Sequence, residues 1–313
     1  NKKFKKIIMI DKLETVLIIG MGLMGSSLVK AMHLKQLANN VYGMDKDPEV
    51  IKKCQEMNLV VKIDDDITKL DRQFDLIIIA TPLSTYKEIF LTLNNYITKP
   101  TFLTDIGSTK LSVINDYNES VTNKNLKFLP SHPIAGLEKS GPEHGIAELF
   151  ENRYCIITPI NEKEPFVERI TEFWQAIGMK VEIMDPERHD RVFAMISHIP
   201  QLIAYSVVAT ATELETQMKE EVIKFSAAGF RDFTRLAGSD PIMWRDVYSK
   251  NKDAVLEMLG RFNEDLSSFQ KAIRNNDLKF LENKFSQSKE IRKLIEDLGQ
   301  AGTFDPTEGK KSR

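Results

Sequence analysis

The chain has 313 residues, of which 42% are hydrophobic and 28% charged, and its 43 basic and 45 acidic residues leave a net charge of −2. This length predicts two domains, and the nearly balanced charge excludes a general attraction to polyanions, so no nucleic-acid partner is expected. The two cysteines, Cys54 and Cys155, lack CxxC spacing and clustered histidines, which argues against a metal site and favours a reducing, cytoplasmic setting.

Residues 1–14 are interpreted as a basic lead-in. The apolar run Ile7–Ile10 that follows its lysines is too short for the core of a secretory signal. No window of the sequence reaches membrane-spanning length, so no membrane partner is expected.

A buried strand, a glycine loop and a helix follow one another at residues 15–34. Thr15–Ile19 is a continuous apolar run, which predicts a strand buried on both faces. The next residues, Gly20-Met-Gly-Leu-Met-Gly25, match GxGxxG in the strand–turn–helix context that a dinucleotide-binding site requires. Gly20 permits the tight turn, Gly22 lets a pyrophosphate approach the backbone, and Gly25 allows close packing of helix against strand.

An acidic residue, Asp45, ends the second predicted strand, Val41–Met44, about 20 residues after the glycine loop. At that position it is expected to bind the adenosine ribose hydroxyls and to favour NAD over NADP. Lys46 beside it would weaken this preference, and the alternative is a loop carboxylate before Asp47-Pro48.

Strands continue to alternate with helices up to about residue 184. One strand, Asp75–Ala80, ends in Thr81-Pro82, which is expected to flank the cofactor at the carboxyl edge of the sheet. The other predicted elements are the helix Ile51–Met57, the strands Thr101–Thr104, Leu126–Pro130, Arg153–Thr158 and Lys180–Met184, and the helix Glu164–Ile177. The pattern predicts an α/β domain with a doubly wound parallel sheet, the Rossmann type, over residues 15–186. The predicted cofactor-binding residues are Gly20, Gly22, Leu23, Met24, Gly25, Asp45, Thr81 and Pro82.

One histidine, His132, lies in Ser131-His-Pro133 directly after the predicted strand Leu126–Pro130. Because proline ends a strand, the triplet is expected to open a loop at the carboxyl edge of the sheet, where ligands bind. A histidine there can exchange a proton at neutral pH, although a solvent-exposed loop histidine has the same spacing. Ser108 follows the strand before it and either caps the next helix or reaches a ligand.

The second half, residues 187–302, is predicted to be an all-α substrate-binding and dimerisation domain. Long amphipathic helices are expected to bury a face against a second copy, giving a homodimer. The predicted helices are Arg188–Leu214, kinked by Pro200, then Val255–Ile273 and Leu278–Leu298. The tail, residues 303–313, is predicted to be disordered.

The stretch Gly229–Trp244 lies within this half, and its Asp240-Pro241 predicts the start of a helix. Arg231, Asp232 and Arg235 recur at helical spacing, either as a surface ion-pair ladder or with one arginine gripping a substrate carboxylate. His198 either packs in a core or faces the same cleft. The pattern assigns no function to three other histidines, His33, His144 and His189.

Taken together, the motifs resemble the TyrA family, the prephenate and arogenate (cyclohexadienyl) dehydrogenases of tyrosine biosynthesis. The resemblance extends over roughly residues 15–300, and its most specific blocks are HPIAG, within residues 128–141, and FRDFTR with SDPIMW, within residues 229–244. It implies oxidative decarboxylation with NAD, in which hydride leaves the carbinol carbon and the ring carboxylate leaves as carbon dioxide. The expected substrates are prephenate and L-arogenate.

The resemblance also implies a role for each matching residue. His132 would take the proton of the ring hydroxyl, Ser108 would orient this histidine, and Arg235 would bind a substrate carboxylate. Four further residues are expected to fix ion pairs or shape the pocket: Glu138, Asp232, His198 and Trp244.

Gln201 departs from the family pattern, because many members have Ser-His-Leu-Pro-His and therefore a second histidine at this position. Glutamine keeps hydrogen-bonding capacity but cannot carry a positive charge. We expect Gln201 to bind substrate and to shift preference toward arogenate. Two other functions are weighed: another two-domain hydroxyacid dehydrogenase, and a non-catalytic NAD-binding sensor.

Overall fold

A computed structural model of the chain describes residues 12–137, 139–160, 165–213, 220–222 and 224–298. The chain divides into two compact units, Asn1–Ala254 and Val255–Arg313. The first unit therefore includes both the predicted sheet domain and the helices that follow residue 186.

The first unit contains a six-stranded parallel sheet in the order β3-β2-β1-β4-β5-β6, which confirms the predicted doubly wound architecture. The two faces of β1 bury alternate residues, with Val16 and Ile18 in one core cluster and Leu17 and Ile19 in the other. The strands are β1 Leu13–Ile19, β2 Ala38–Met44, β3 Ile63–Asp64, β4 Leu76–Ile79, β5 Thr101–Asp105 and β6 Leu126–Leu129.

Helices cover both faces of this sheet, as its continuous apolar strands require. The helices are α1 Leu23–Lys35, α2 Pro48–Glu56, α3 Tyr86–Tyr96, α4 Leu111–Ser120 and α5 Pro165–Ile177. Gly178 follows α5 with φ +114°, the left-handed conformation in which glycine commonly ends a helix.

A second, three-stranded sheet was not predicted. It consists of β7 Ser131–Pro133, β8 Tyr154–Ile157 and β9 Lys180–Ile183, with β7 antiparallel and β9 parallel to β8. His132 therefore lies in a strand, opposite Ile156, and the expectation of a loop was wrong. The reason is that β7 is an edge strand, where proline is tolerated because its missing N–H faces away from the ladder.

After the sheets, one helical segment runs through α6 Pro186–Phe193, a π-helical turn at Ala194–His198, and α7 Ile199–Thr212. The N–H of Ile199 donates to the carbonyl of Ala194, a five-residue spacing, directly before Pro200. The interruption that the proline predicted thus takes the form of a π turn.

This continuous segment corrects the expectation that no window reaches membrane-spanning length. The Pro186–Thr212 segment is long and apolar enough to cross a bilayer by length and composition alone, and core helices pass the same test. The sequence already predicted one kinked helix over Arg188–Leu214, and its length and apolar composition should have been counted. The segment also carries four buried polar residues, His189, Asp190, His198 and Gln201.

The first unit ends with α8 Ala228–Thr234, a 3₁₀ turn at Arg235–Gly238 and α9 Pro241–Lys250. The predicted cap of α9 is confirmed, since the Asp240 carboxylate accepts from the N–H of Met243 at 2.8 Å.

The second unit contains α10 Lys252–Arg274 and α11 Leu278–Asp297, close to their predicted bounds. No residue of α11 is buried, although several large apolar side chains lie along it, including Leu278, Phe285, Ile291 and Leu294. An uncovered apolar face of this size is typical of an interface. The predicted disordered tail, residues 303–313, lies outside the described residues, as do residues 1–11 of the predicted lead-in.

Candidate active site

The glycine loop has the close contacts that its three glycines predict. Gly20 has φ +94°, and a Cβ there would lie 2.6 Å from the carbonyl oxygen of Ala80 on the neighbouring strand. A Cβ on Gly25 would lie 1.9 Å from the carbonyl oxygen of Gly20, so helix α1 packs directly on the loop. At Gly22 a Cβ would meet no atom within 4 Å, which leaves open space beside the backbone.

Asp45 is held beside this loop by backbone hydrogen bonds. Its carboxylate accepts from the N–H of Met21 at 2.7 Å and from the N–H of Asp47 at 3.0 Å. Lys46 forms an exposed ion pair with Glu88 at 2.6 Å, so its charge is shared with a carboxylate. The acid predicted to bind ribose is thus oriented before any ligand arrives.

The remaining predicted cofactor residues surround the same loop. Leu23 and Met24 open helix α1, whose N-cap, Gly22, makes no side-chain capping hydrogen bond. The Thr81 methyl carbon lies 2.8 Å from the position of a Cβ on Gly20, and Pro82 follows it. The structure therefore brings together the residues that the sequence assigned to the cofactor.

His132 is the first member of a hydrogen-bonded series that the sequence did not reveal. Its Nδ1 lies 2.9 Å from Nε2 of His189, and Nδ1 of His189 lies 2.8 Å from the Asp190 carboxylate. We call Asp190, His189 and His132 the histidine series. The same carboxylate accepts the N–H groups of Lys110 at 2.7 Å and Leu111 at 2.9 Å, at the start of helix α4.

The order of donors in the histidine series determines the tautomer of His132. An ionised carboxylate only accepts hydrogen bonds, so Nδ1 of His189 carries a hydrogen and its Nε2 accepts. Nδ1 of His132 must then donate to His189, and the lone pair of His132 lies on Nε2. His132 is therefore arranged as a base at Nε2, while the ring is only half-buried and can be reached from outside.

The surroundings keep this base unprotonated. Burial lowers the pKa of His132 well below its ordinary value of 6.5, and the nearby His189 and Lys110 lower it further. Burial also lowers the pKa of His189, although Asp190 partly offsets this effect. The Phe193 ring packs against both imidazoles, with ring centroids 4.6 Å from His132 and 4.5 Å from His189. Both histidines are thus neutral near pH 7.

A buried ion pair supports the strand that carries His132. Lys110 and Asp105 are both fully buried and 2.6 Å apart, and Lys110 also donates to the carbonyl of Ser131 at 2.7 Å. Asp105 in turn accepts the N–H of Ser131 at 2.9 Å and that of Gly107 at 2.9 Å. Since both charges are fully hydrogen-bonded, the pair fixes the residue preceding His132.

Sequence reasoning dismissed His189 and did not consider Asp190, Lys110 or Asp105 as members of the site. His189 is 57 residues from His132 in the chain, and no local pattern reports a contact across that separation. The available signal was the adjacent pair His189-Asp190 just after a helix start. An aspartate directly beside a histidine suggests a candidate site residue, as the histidine of HPIAG does.

His198 is fully buried and joined to the histidine series through Asn251. The Asn251 amide nitrogen donates to the carbonyl of Asp190 at 2.9 Å and lies 3.2 Å from Nδ1 of His198. Burial lowers the pKa of His198 from 6.5 to about 4. Trp244 packs against the His198 ring at 6.0 Å and the Tyr248 ring at 5.8 Å. The alternative of a hydrogen-bonded core histidine is the one that the structure favours.

The other predicted substrate residues are less constrained. Ser108 is half-buried, and within the described chain it makes no hydrogen bond with His132, so its orienting role stays a prediction. Asp232 and Arg235 are exposed on α8 and the following turn. No ion pair joins Arg231 to Asp232 in the part of the chain that the structure describes. Glu138 lies outside the described residues.

The expected role of Gln201 in substrate binding stays a prediction. This residue is buried, and its amide nitrogen donates to the carbonyl of Leu236 at 2.7 Å, next to Arg235 in the chain. The helix α7 thus links His198 at its start to the turn that carries Arg235.

Comparisons with known proteins extend over both halves of the chain. Residues 29–183 match the nucleotide-binding domain of prephenate dehydrogenase, and residues 185–287 match the dimerization domain of prephenate dehydrogenase. The second match supports the predicted homodimer.

Individual relatives agree with this match. The chain is 33% identical over 278 residues to the cyclohexadienyl dehydrogenase of Zymomonas mobilis, covering 88% of this chain and 94% of that protein. It is 30% identical over 281 residues to the prephenate dehydrogenase of Bacillus subtilis, covering 89% and 75%. The crystal structure of Aquifex aeolicus prephenate dehydrogenase with hydroxyphenyl propionate and NAD+ superposes with a TM-score of 0.85 at 31% identity, covering 91% and 99%.

Proposed function

The chain belongs to the prephenate dehydrogenase family, and we propose that it catalyses the NAD-dependent oxidative decarboxylation of prephenate, L-arogenate or both. Prephenate would give 4-hydroxyphenylpyruvate and L-arogenate would give L-tyrosine, which are reactions of tyrosine biosynthesis. The observation that carries the proposal is the histidine series, because it leaves Nε2 of His132 as the proton acceptor.

The glycine loop fits NAD by its own geometry. The open space at Gly22 and the N-terminus of helix α1 suit a pyrophosphate, since free N–H groups and the helix dipole favour an anion there. The preoriented carboxylate of Asp45 suits the two ribose hydroxyls and repels a 2′-phosphate. Bound NAD supplies a hydride acceptor for the carbinol carbon of the substrate.

The proton leaves the substrate through His132. Its Nε2 accepts the hydrogen bond of the ring hydroxyl and takes the proton as the hydride departs. His189 and Asp190 hold the ring in the correct tautomer and stabilise the positive charge that the proton brings. Loss of the ring carboxylate as carbon dioxide then leaves an aromatic phenolate, which takes the proton back from Nε2 of His132 to give the phenol, and aromatisation drives this step.

A dianionic substrate also requires a cation, and Arg235 is the proposed partner of a substrate carboxylate. Asp232 is proposed to fix the ion pairs around Arg235, and Ser108 is proposed to orient His132. His198, packed against Trp244, is proposed to support the pocket wall. Gln201 is proposed to influence the preference between prephenate, which has a keto acid side chain, and L-arogenate, which has an amino acid side chain.

The proposal includes a homodimer in a cytoplasmic, reducing setting. The uncovered apolar side chains of α11 and the match to a dimerization domain support the dimer. Cys54 and Cys155 are buried free thiols, which agrees with a reducing compartment.

The proposal is tested by initial rates of NADH formation with prephenate and with L-arogenate, each also tried with NADP. We expect turnover with NAD and at least one substrate, and slower or no turnover with NADP. A folded protein that binds NAD but turns over neither substrate would refute the proposed reaction and favour a sensor or another dehydrogenase.

A pair of variants separates catalysis from binding. His132→Asn is expected to lower kcat by about 10²–10⁴-fold, the usual contribution of a general base, while NAD binding is unchanged. His33→Asn makes the same substitution at an exposed histidine of α1 and is expected to keep full activity. Equal activity of the two variants would exclude His132 as the base.

A further inference from the structure

Two side chains of α7 hold the backbone on which Arg235 is carried. The amide nitrogen of Gln201 donates to the carbonyl of Leu236 at 2.7 Å, and the hydroxyl of Tyr205 donates to the carbonyl of Ser239 at 3.1 Å. Four residues separate Gln201 from Tyr205, so both lie on the same face of the helix. One acceptor, Leu236, lies within the 3₁₀ turn that begins with Arg235, and the other, Ser239, directly follows that turn.

Within the described residues, this turn is not anchored by buried side chains of its own. The helix before it, Ala228–Thr234, has no buried residue, and the turn Arg235–Gly238 has none either. Gln201, in contrast, is only 2% exposed, so its bond to Leu236 is shielded from competing water. The carbonyl of Leu236 also accepts from the hydroxyl of Ser239 at 2.8 Å, which closes the turn on itself.

Hydrogen bonds to main-chain carbonyls act differently from contacts with a ligand. They fix the backbone of residues 235–239, and the long side chain of Arg235 is oriented from that backbone. Loss of one such bond allows the turn to shift, and a displacement of about 1 Å is enough to impair a bidentate contact between guanidinium and carboxylate.

We propose that Gln201 and Tyr205 are positioning residues that fix Arg235 for the substrate carboxylate, an inference that rests on the proposed function. Gln201 then affects substrate binding through the carbonyl of Leu236, and its lack of positive charge is not the decisive property. We assign Arg235 to the side-chain carboxylate of the substrate, which is not lost as carbon dioxide, so the contact is made equally before and during the chemical step. Its loss therefore raises KM and leaves kcat nearly unchanged.

The test compares three variants of the full chain. Gln201→Met keeps the length of the side chain without a donor, and Tyr205→Phe removes one oxygen atom. Each is expected to raise KM for prephenate or L-arogenate about three- to tenfold, with KM for NAD unaffected. Ser206→Ala is the matched control, because that exposed hydroxyl donates to the carbonyl of Leu202 in its own helix and to no other group among the described residues. The kinetics of this variant should be those of the wild type.

A double-mutant cycle decides whether the effect passes through Arg235. In an Arg235→Gln background, Gln201→Met should change KM by less than twofold, because there is no guanidinium left to position. The same increase in both backgrounds, or a wild-type KM in the single variants, would overturn the inference. Wild-type protein without turnover would refute the proposed function, and the positioning role with it, whereas active wild type with unaffected variants would refute the positioning role alone.

Discussion

Replacing Asp190 by asparagine is the sharpest test of the histidine series, because it changes one atom and removes one charge. The carboxylate accepts from Nδ1 of His189 at 2.8 Å and from the N–H groups of Lys110 at 2.7 Å and Leu111 at 2.9 Å. All three partners act as donors in the wild-type protein.

An asparagine cannot accept from both sides, since its amide has one acceptor atom and one donor group. If the oxygen faces His189 and Lys110, the NH₂ group opposes the N–H of Leu111 in a buried place. If the amide is reversed, the NH₂ group donates to His189, whose tautomer inverts. His132 must then accept at Nδ1, and its Nε2 carries a hydrogen and no longer acts as a base.

The magnitude follows from these two arrangements. An unsatisfied buried donor lowers the free energy of unfolding by about 1–3 kcal/mol. Loss of the correct tautomer removes general-base catalysis, which contributes about 10²–10⁴ in rate, and the corresponding aspartate in serine protease triads is worth about 10⁴ in kcat. We expect Asp190→Asn to lower kcat by at least about 10²-fold without raising KM for NAD.

The assay is steady-state NADH formation, with unfolding monitored by denaturant titration. Asp116→Asn is the matched control, because this carboxylate of α4 is largely buried and pairs with Lys250 at 2.7 Å. The control should lose some stability and keep kcat. If Asp190→Asn loses stability but turns over at the wild-type rate, the tautomer argument is refuted.

Three other predictions concern the cofactor loop, pH and the buried ion pair. Gly25→Ala is expected to destabilise the fold by about 1–3 kcal/mol, since its Cβ would lie 1.9 Å from a carbonyl oxygen, whereas Gly22→Ala has space within the protein and should weaken NAD binding alone. Between pH 6.5 and about 4, His198 binds a proton in the unfolded chain but stays neutral in the folded protein. As the pH falls through this range, the free energy of unfolding is therefore expected to decrease by about 1.4 kcal/mol per pH unit because of this residue, as measured by denaturant titration. Lys110→Met leaves Asp105 buried without its counter-charge and should cost about 3–5 kcal/mol in the same measurement.

Each of these predictions has an outcome that contradicts it. Equal stability of Gly25→Ala and the wild type would mean that the loop and helix are not in close contact. A His198→Asn variant with an unchanged slope of stability against pH would exclude this histidine as a source of the acid sensitivity. Wild-type stability of Lys110→Met would mean that Asp105 is not buried as a charge.

The sequence was most informative where local pattern and chemistry coincide. The close contacts at Gly20 and Gly25 were predicted because a glycine motif has physical requirements that few other arrangements share, and the ribose-binding role of Asp45 stays a prediction. The parallel strands followed from continuous apolar runs, which report burial on both faces.

The site itself was only partly predictable, because its contacts join distant parts of the chain. His132 was recognised as a candidate site residue. Its strand pairs with residues 155–157, however, and no pattern near His132 in the sequence predicts that pairing. His189 reaches it from the start of α6. Gln201 was expected to bind substrate, and the sequence did not reveal that a backbone carbonyl 35 residues away accepts a hydrogen bond from its amide.

The π turn at Ala194–His198 sets the angle between the two ends of this helical segment. His189 and His198 are nine residues apart in the sequence, which on a regular α-helix of 3.6 residues per turn corresponds to about 900°, so they would point to opposite sides. Both are nevertheless buried, and Asn251 joins His198 to the carbonyl of Asp190, the residue next to His189. A π turn amounts to one inserted residue and turns the later part back by about 100°, to within roughly a quarter turn. The orientation of α7 relative to the histidine series thus depends on the one extra residue in the π turn. Deleting the exposed Met195 or Ile196 would rotate every later side chain of the helix about its axis, although none of those residues would be substituted.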